Sequence, residues 1–110
     1  MEIKNADLAV LGGGPGGYVA AIRASKLGVK TIVIEKEYLG GTCLNWGCIP
    51  TNALYHTAEV IENIKKSSIF GVDVQEYSFD FVKAMDRKNK VIAAQRQGLE
   101  FHFRKNNIEL

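Results

Sequence analysis

The stretch that decides the fold is DLAVLGGGPGGYVAAIRASKLGVKTIVIE, residues 7–35. Its first part, DLAVLG, is a short apolar run between an aspartate and a glycine, which is typical of a buried strand. The middle part opens with glycine and proline and has apolar residues at helical spacing as far as Gly28, which stands where a C-terminal capping glycine belongs. KTIVIE then has the β-branched residues of a second buried strand. This order predicts two parallel strands joined by a right-handed crossover.

The glycines between the first strand and the helix follow the pattern G-x-G-x-x-G at Gly12, Gly14 and Gly17. Gly12 permits a tight turn, Gly14 lets the backbone approach a pyrophosphate, and Gly17 lets the helix pack closely on the strand. The helix N-terminus offers free N–H groups to phosphates. Glu35, at the end of the second strand, can accept hydrogen bonds from ribose hydroxyls. These residues predict a dinucleotide site without separating NAD from FAD, and a glycine-rich turn that binds nothing is the alternative.

The only two cysteines of the chain, Cys43 and Cys48, lie in GGTCLNWGCIP, residues 40–50. On a regular α-helix their Cα atoms would be about 8.6 Å apart, whereas a disulfide needs less than about 7 Å. A disulfide would therefore require the backbone to leave the helical path, and Gly47 and Pro50 are placed to allow this. Two unrelated buried cysteines are the alternative. The two histidines of the chain add no recognisable zinc spacing, so we predict no metal site.

The composition indicates an ordinary folded domain. Hydrophobic residues make up 46% and charged residues 24% of the 110 positions, and the formal net charge is +2. We predict no nucleic acid partner, because no basic stripe interleaves with aromatic residues. We predict no membrane segment, because no apolar run approaches the roughly 18 residues of a membrane span, and the N-terminus lacks the features of a signal peptide. These expectations favour a cytoplasmic protein, in which a close cysteine pair is more often catalytic or metal-binding than structural.

Beyond the second strand, the sequence predicts a loop over residues 36–50, a helix over about residues 51–66, a connector with a short strand as one option over residues 67–78, and a long helix over about residues 79–106. An apolar stripe runs along the long helix through Val82, Met85, Ile92, Leu99 and Phe103. Asn106 and Asn107 can adopt the left-handed conformation that ends a helix. The final residues, IEL, look like the start of a third strand, so we expect the sheet to be incomplete within these 110 residues.

The segment GGTCLNWGCIPTN, residues 40–52, resembles the redox-active disulfide segment of the flavoprotein disulfide reductases. With the glycine turn and Glu35, the likeness is specific and extends along essentially the whole chain. CLN and CIPT, followed by ALYHTAEVIENIKK, look most like the dihydrolipoamide dehydrogenases, whereas glutathione and mercuric reductases are more distant. The resemblance implies an α/β fold over residues 1–110, an incomplete Rossmann-like FAD-binding domain in which a βαβ unit is followed by a redox-segment helix and a long helix. It also implies that the NAD domain and the interface domain of the family are absent from these residues.

The resemblance further implies roles for individual residues. FAD would be held by Gly12, Gly14, Gly17, Glu35, Gly41 and Thr42. Cys43 would exchange with a lipoyl substrate and Cys48 would face the flavin, so that electrons pass between a lipoyl dithiol, the cysteine pair, FAD and NAD. Asn52 would also lie near the flavin, at a position where the family usually has a lysine, and asparagine can form hydrogen bonds but carries no charge. NAD would bind in the missing domain.

Other functions stay open at this point: another disulfide reductase of the family, a module that binds a nucleotide or partner without turnover, and a thiol redox protein that works without NAD. His56 and His102 are expected on helix surfaces, outside catalysis. Because open strand edges and an uncovered apolar helix face tend to seek another chain, we expect self-association. We also expect weak or absent FAD retention and no lipoamide reductase activity from these 110 residues alone.

Overall fold

The computed structural model describes residues 3–110, and it begins with strand β1 (Leu8–Leu11), helix α1 (Pro15–Lys26) and strand β2 (Thr31–Ile34). The two strands pair in parallel over their whole length. Gly28 has a φ of 84° and follows the C-cap of α1, which is the left-handed position that glycine occupies at helix ends. The strand–helix–strand unit predicted for residues 7–35 is therefore confirmed, but the expectation that its first strand is buried was wrong, because β1 is only partly covered and Leu11 is 80% exposed.

The last residues of the chain pair with the free edge of β2. Ile32 and Glu109 form a parallel bridge, and the N–H of Val33 donates to the Glu109 carbonyl at 2.8 Å. The Glu109 N–H donates in turn to the Thr31 carbonyl at 3.3 Å. β2 thus lies between β1 and the chain end, and the interpretation of IEL as the first residues of a third strand is confirmed. Helices packed on this small parallel sheet form the predicted α/β arrangement, a Rossmann-like unit with few strands.

Residues 41–50, predicted as part of a loop, are mostly helical instead. Helix α2 (Gly41–Trp46) contains the first cysteine, and helix α3 (Cys48–Lys66) starts at the second. The glycines and the proline that suggested a loop break helices mainly in their interiors. Here Gly47 lies between the two helices, and Pro50 lies in the first turn of α3, where N–H groups have no intrahelical acceptor to lose.

A connector leads from α3 to helix α4 (Phe81–Lys105). It starts with a short 3-10 helix (Ser67–Phe70) and contains no strand. The short strand that the sequence offered as one option for residues 67–78 is therefore not formed, and that option was wrong. α4 begins after Asp80, whose carboxylate accepts a hydrogen bond from the Lys83 N–H at 3.0 Å, and it ends before Asn107, whose φ is 54°. The long helix and its asparagine stop are confirmed. No helix within residues 3–110 is long and apolar enough to cross a membrane.

α3 and α4 pack against each other in antiparallel directions. Arg87, early in α4, reaches Ala53 of α3, whereas Arg96, further along α4, reaches back to Asn45 of α2. The pair extends away from the sheet and makes the molecule 64 Å long. At its far end the apolar side chains are largely exposed, among them Ile69, Phe70, Phe79, Phe81 and Val82.

The core lies between the sheet, α1 and the C-terminal half of α4. Its buried members are Ala21, Val33, Leu39, Phe103 and Ile108. The apolar stripe of α4 therefore faces the core only in part: Phe103 is 2% exposed, whereas Val82 is 67% exposed. This core holds together the two segments that carry the candidate functional residues, because Val33 precedes Glu35 and Leu39 precedes the cysteine segment.

Candidate redox and nucleotide-binding site

The glycine turn lies directly between β1 and α1. Gly12 has a φ of 97°, a conformation that favours glycine, and its N–H donates to the Ile34 carbonyl at 2.8 Å. A Cβ atom on Gly17 would lie 1.9 Å from the Gly12 carbonyl oxygen. Helix and turn are thus in direct backbone contact, which is the close packing that the glycine pattern predicts.

The N-terminus of α1 is open toward the turn. Gly14 is the N-cap and Pro15 follows it, with no side-chain cap and no acidic residue in the first turn. The first N–H in the helical ladder, that of Tyr18, donates to the Gly14 carbonyl at 2.9 Å. The N–H groups of Gly16 and Gly17 precede that ladder, so they and the positive end of the helix dipole are available to an anionic group.

Glu35 is tied to the same turn through both oxygens of its carboxylate. Oε2 accepts a hydrogen bond from the Gly13 N–H at 2.7 Å, and Oε1 accepts one from the Glu37 N–H at 3.0 Å. The hydrogen bond from Gly13 has the largest effect on the pKa of Glu35, and the bond from Glu37 the next largest; both lower this pKa below its ordinary value. The carboxylate is therefore ionised at neutral pH, and each oxygen keeps a lone pair for a further donor such as a hydroxyl.

Cys43 and Cys48 form a disulfide, and their Cα atoms are 4.7 Å apart. The backbone leaves the helical path at Gly47, with φ −124° and ψ −107°, which separates α2 from α3. A Cβ atom at Gly47 would lie 3.1 Å from the Thr42 carbonyl oxygen, so the tight break favours glycine. The predicted departure from a regular helix is confirmed, but it occurs at Gly47 rather than at Pro50, which is buried within α3. The interpretation as two unrelated cysteines is excluded.

The glycine turn and the cysteine segment touch. The N–H of Gly40 donates to the Gly13 carbonyl at 2.8 Å. A Cβ atom on Gly41 would lie only 2.7 Å from the Cα atom of Gly14, and Gly41 has a φ of 66°. The segment that begins two residues before Cys43 is therefore packed on the segment that ends β1.

The two remaining residues predicted to contact a cofactor and the two histidines are all exposed. Thr42 is exposed in the first turn of α2, and Asn52 is exposed in α3, four residues after Cys48. His56 is exposed and pairs with Glu59, with Nδ1 and Oε2 3.2 Å apart. His102 is exposed on α4, as expected for a histidine outside a site. Within residues 3–110, no three histidine, cysteine or carboxylate side chains come together in a group that could hold a metal ion.

Two polar residues that the sequence analysis did not identify stand behind the cysteine segment. Asn45 is 4% exposed, and its Nδ2 donates to the carbonyls of Gly41 at 2.9 Å and Leu39 at 3.3 Å. Arg96 of α4 donates from Nε to the Asn45 Oδ1, and its guanidinium lies 3.9 Å from the centroid of the Tyr38 ring. The sequence could have pointed to Asn45, because it is a polar residue between the two cysteines. No neighbouring residue indicates a role for Arg96, which is 51 positions from Asn45.

A small cavity adjoins Cys43, with a volume of about 120 Å³. It lies between α1 and α4, and its other lining residues include Pro15, Tyr18, Leu44, Gln95 and Leu99. Cys48, at the start of α3, is exposed. The two sulfur-bearing residues thus have different surroundings, although they are joined by one bond.

A parallel βαβ unit with an open glycine turn, packed against a disulfide, is the arrangement expected in a nucleotide-binding disulfide oxidoreductase. Comparison with known families agrees: residues 6–110 match the family described as pyridine nucleotide-disulphide oxidoreductase, and the chain belongs to that family. The sequence resemblance to the flavoprotein disulfide reductases is thereby confirmed.

Within this family, the chain is similar to dihydrolipoyl dehydrogenases in sequence and to a flavoprotein disulfide reductase in structure. The chain is 49% identical over 104 residues to a dihydrolipoyl dehydrogenase of Chlorobaculum parvum and 47% identical over 104 residues to that of Bacillus subtilis, and each alignment covers 94% of this chain and 22% of the relative. A similar solved structure is the Cu(II) complex of a cysteine-to-serine mutant of the HOCl-induced flavoprotein disulfide reductase RclA from Escherichia coli. The TM-score is 0.75 at 28% identity, with coverage of 98% of this chain and 21% of that chain. The chain therefore spans about a fifth of the length of each of these three relatives.

Proposed function

We propose that this chain carries the FAD-binding and disulfide-exchange functions of a dihydrolipoyl dehydrogenase, as the N-terminal part of its FAD domain. The observation that carries the proposal is the contact between Gly14 and Gly41, which packs the glycine turn against the cysteine segment. A nucleotide on the turn would then lie beside the disulfide. The identity of 49% and 47% to dihydrolipoyl dehydrogenases supports this reaction within the family.

The residues at the junction suit FAD. Apart from its chain neighbours, the nearest atom within residues 3–110 to the Cβ position of Gly14 is the Gly41 Cα, at 3.7 Å, so the turn leaves space for a pyrophosphate. The open N-terminus of α1 faces that space with free N–H groups. We propose that the cofactor is held by Gly12, Gly14, Gly17, Glu35, Gly41 and Thr42, with Asn52 nearby. Bound FAD supplies a carrier for two electrons next to the cysteine pair.

The cysteine pair performs thiol–disulfide exchange. One thiolate of a dihydrolipoyl group attacks Sγ of Cys43, the Cys43–Cys48 bond breaks, and Cys48 leaves as a thiolate. The second lipoyl thiolate then attacks the lipoyl sulfur bound to Cys43, which closes the lipoyl disulfide and releases Cys43. The lipoyl group is oxidised by two electrons, the cysteine pair is reduced to two thiols, and the two lipoyl protons pass to the cysteines or to solvent.

The surroundings of the two cysteines support this division of roles. Cys43 lines the cavity between α1 and α4, which offers a recess for an incoming dithiol. Cys48 is the first residue of the 19-residue helix α3. The positive end of that helix stabilises a thiolate, so Cys48 is the better leaving group and the better partner for an electron carrier on its exposed side.

The remaining parts of the reaction are proposed from the relatives. NAD is the second cofactor, bound outside these residues, and the partner is a lipoyl group of a 2-oxoacid dehydrogenase complex in the cytoplasm. The exposed apolar residues at the far end of α3 and α4 support self-association of the 110-residue chain. Light scattering that finds a monodisperse monomer would contradict self-association.

The proposal is tested by titrating the chain with FAD to millimolar concentration and following its assigned amide spectrum. We expect the N–H signals of Gly16 and Gly17 in the turn and of Thr42 and Cys43 in α2 to shift together, with one dissociation constant. Riboflavin, which lacks the pyrophosphate, should leave the turn signals unchanged. Shifts confined to one of the two segments, or to neither, would contradict a shared FAD site.

A further inference from the structure

We propose that Arg96 is a positioning residue for the Cys43–Cys48 couple and acts through Asn45. The inference rests on the redox function proposed above and adds a residue from α4 to it. Arg96 acts through a neighbour: it donates to Asn45, and Asn45 donates to the Gly41 carbonyl of the cysteine segment. Its expected effect is on the equilibrium between the disulfide and the two thiols.

Asn45 ties helix α2 to the residues that come just before it. Its Nδ2 group donates to the Leu39 carbonyl, before the helix, and to the Gly41 carbonyl, one turn earlier in the helix. This leaves Oδ1 as the only acceptor of a buried amide, and a buried acceptor without a donor is costly. Arg96 supplies that donor from Nε. The three bonds also determine which way the amide points, because a flipped amide would turn its oxygen toward two carbonyls.

Arg96 is itself held in place by an aromatic ring. Its guanidinium lies 3.9 Å from the centroid of Tyr38, which is a cation–π contact, and the Tyr38 ring is 6.1 Å from that of Trp46. Tyr38 lies before α2 and Trp46 is its last residue. The Arg96 guanidinium therefore contacts the residue before α2 directly, and it is linked to the last residue of α2 through the Tyr38 ring.

α2 needs such support because it has only six residues. Isolated helices of that length are unstable in water. In the oxidised chain the disulfide ties α2 to α3, but in the reduced chain that tie is gone. Asn45 and Arg96 then keep the Cys43 thiol close to the Cys48 thiol, so the disulfide re-forms readily. Loss of Arg96 therefore weakens the preference for the disulfide, and the reduction potential becomes less negative.

The charge of Arg96 alone would have the opposite effect. A cation near the thiolates stabilises the reduced state, so its removal would favour the disulfide. The direction of the change in potential therefore distinguishes positioning by hydrogen bonds from a purely electrostatic effect.

The test equilibrates the full 110-residue chain with mixtures of reduced and oxidised dithiothreitol and counts free thiols by alkylation and mass spectrometry. For Arg96→Met we expect the equilibrium constant for disulfide formation to fall about tenfold, equivalent to about 30 mV toward a less negative potential. Arg96→Lys, which keeps the charge and one donor group, should restore part of the loss. Tyr38→Leu, at a half-exposed position, should change the constant in the same direction by about two- to threefold.

Arg87→Met is the matched control. Arg87 is also on α4 and donates to the Ala53 carbonyl of α3 at 3.1 Å, beyond the cysteines. We expect it to lower the urea midpoint about as much as Arg96→Met without moving the potential. Equal changes in potential for both variants, no change for Arg96→Met, or a more negative potential would overturn the proposal for Arg96 alone. A wild-type disulfide that does not reduce and re-form reversibly would contradict the proposed redox function as well.

Discussion

Gly41 lies so close to Gly14 that a Cβ atom on Gly41 would be 2.7 Å from the Gly14 Cα atom. Two glycines 27 positions apart thus form a backbone-to-backbone contact, and this contact joins the nucleotide-binding motif to the cysteine pair. Any side chain at Gly41 is disfavoured twice, by this contact and by its φ of 66°, which is in the left-handed region. Substitution of either glycine therefore tests this contact.

Gly41→Ala should destabilise the chain by about 2–4 kcal/mol, because the new methyl group overlaps Gly14 and the backbone conformation is unfavourable for alanine. Urea unfolding measures the change. Gly16→Ala is the control, since a Cβ atom there would meet no atom within 4 Å among residues 3–110 other than those of its own helix, and it should be neutral or stabilising. Equal stability of the two variants would show that the Gly14–Gly41 contact is not tight in solution.

Gly14→Val should abolish the response of the turn to FAD while the fold survives. The backbone of Gly14 has a φ of −76°, which valine can adopt, and the nearest protein atom to its Cβ position is at 3.7 Å. The branched side chain would occupy the space proposed for the pyrophosphate. The measurement is the FAD titration of the amide spectrum together with urea unfolding. Unchanged binding would refute the pyrophosphate assignment.

Glu35 should make stability depend on pH in the acid range. Hydrogen bonds from Gly13 and Glu37 lower its folded-state pKa below the ordinary value of 4.5. The stabilisation is therefore complete above the unfolded-state pKa and is lost as the pH falls through the folded-state pKa. We expect wild type to be more stable than Glu35→Gln at pH 7, and this difference to shrink below about pH 4.5. A difference that stays constant down to about pH 3 would contradict the two hydrogen bonds.

Asn52→Lys should make the reduced Cys48 more reactive. Asn52 lies one helical turn after Cys48 on α3, so a lysine there would place a cation near the thiolate. We expect alkylation of Cys48 at neutral pH to become about two- to threefold faster. Asn63→Lys, in the last part of the same helix, should leave the rate unchanged. In a dihydrolipoyl dehydrogenase of full length, the same lysine should raise reductase activity; equal rates in both tests would refute the role of charge at this position.

Sequence patterns predicted the parts of the fold that depend on neighbouring residues. The parallel strands and α1 follow from local apolar spacing and from Gly28, which can adopt a left-handed backbone. The start of a third strand at Ile108 was also predictable, because a short apolar run follows the asparagines that end α4. In each case the decisive signal lies within a few residues of the element it predicts.

The missed features depend on contacts between distant residues. α2 has six residues and starts at a glycine, so no local pattern distinguishes it from a loop; burial of Leu44 and Asn45 and the disulfide hold it in the helical form. The bond from Arg96 to Asn45 arises only when α4 packs beside α2. The backbone break between the cysteines was predictable, because helix geometry demands it and Gly47 was one of the two residues placed to allow it, but the close approach of Gly47 to the Thr42 carbonyl oxygen was not.

We propose above that Cys43 and Cys48 are a working redox couple for a dithiol. The most direct measurement mixes the oxidised chain with dihydrolipoamide, stops the reaction by alkylation, and locates the alkylated cysteines by mass spectrometry. We expect both cysteines to become alkylated together, one lipoamide to form for each disulfide reduced, and glutathione at equal thiol concentration to react more slowly. A Cys43–Cys48 bond that survives excess dihydrolipoamide in the folded chain would contradict the proposed redox couple.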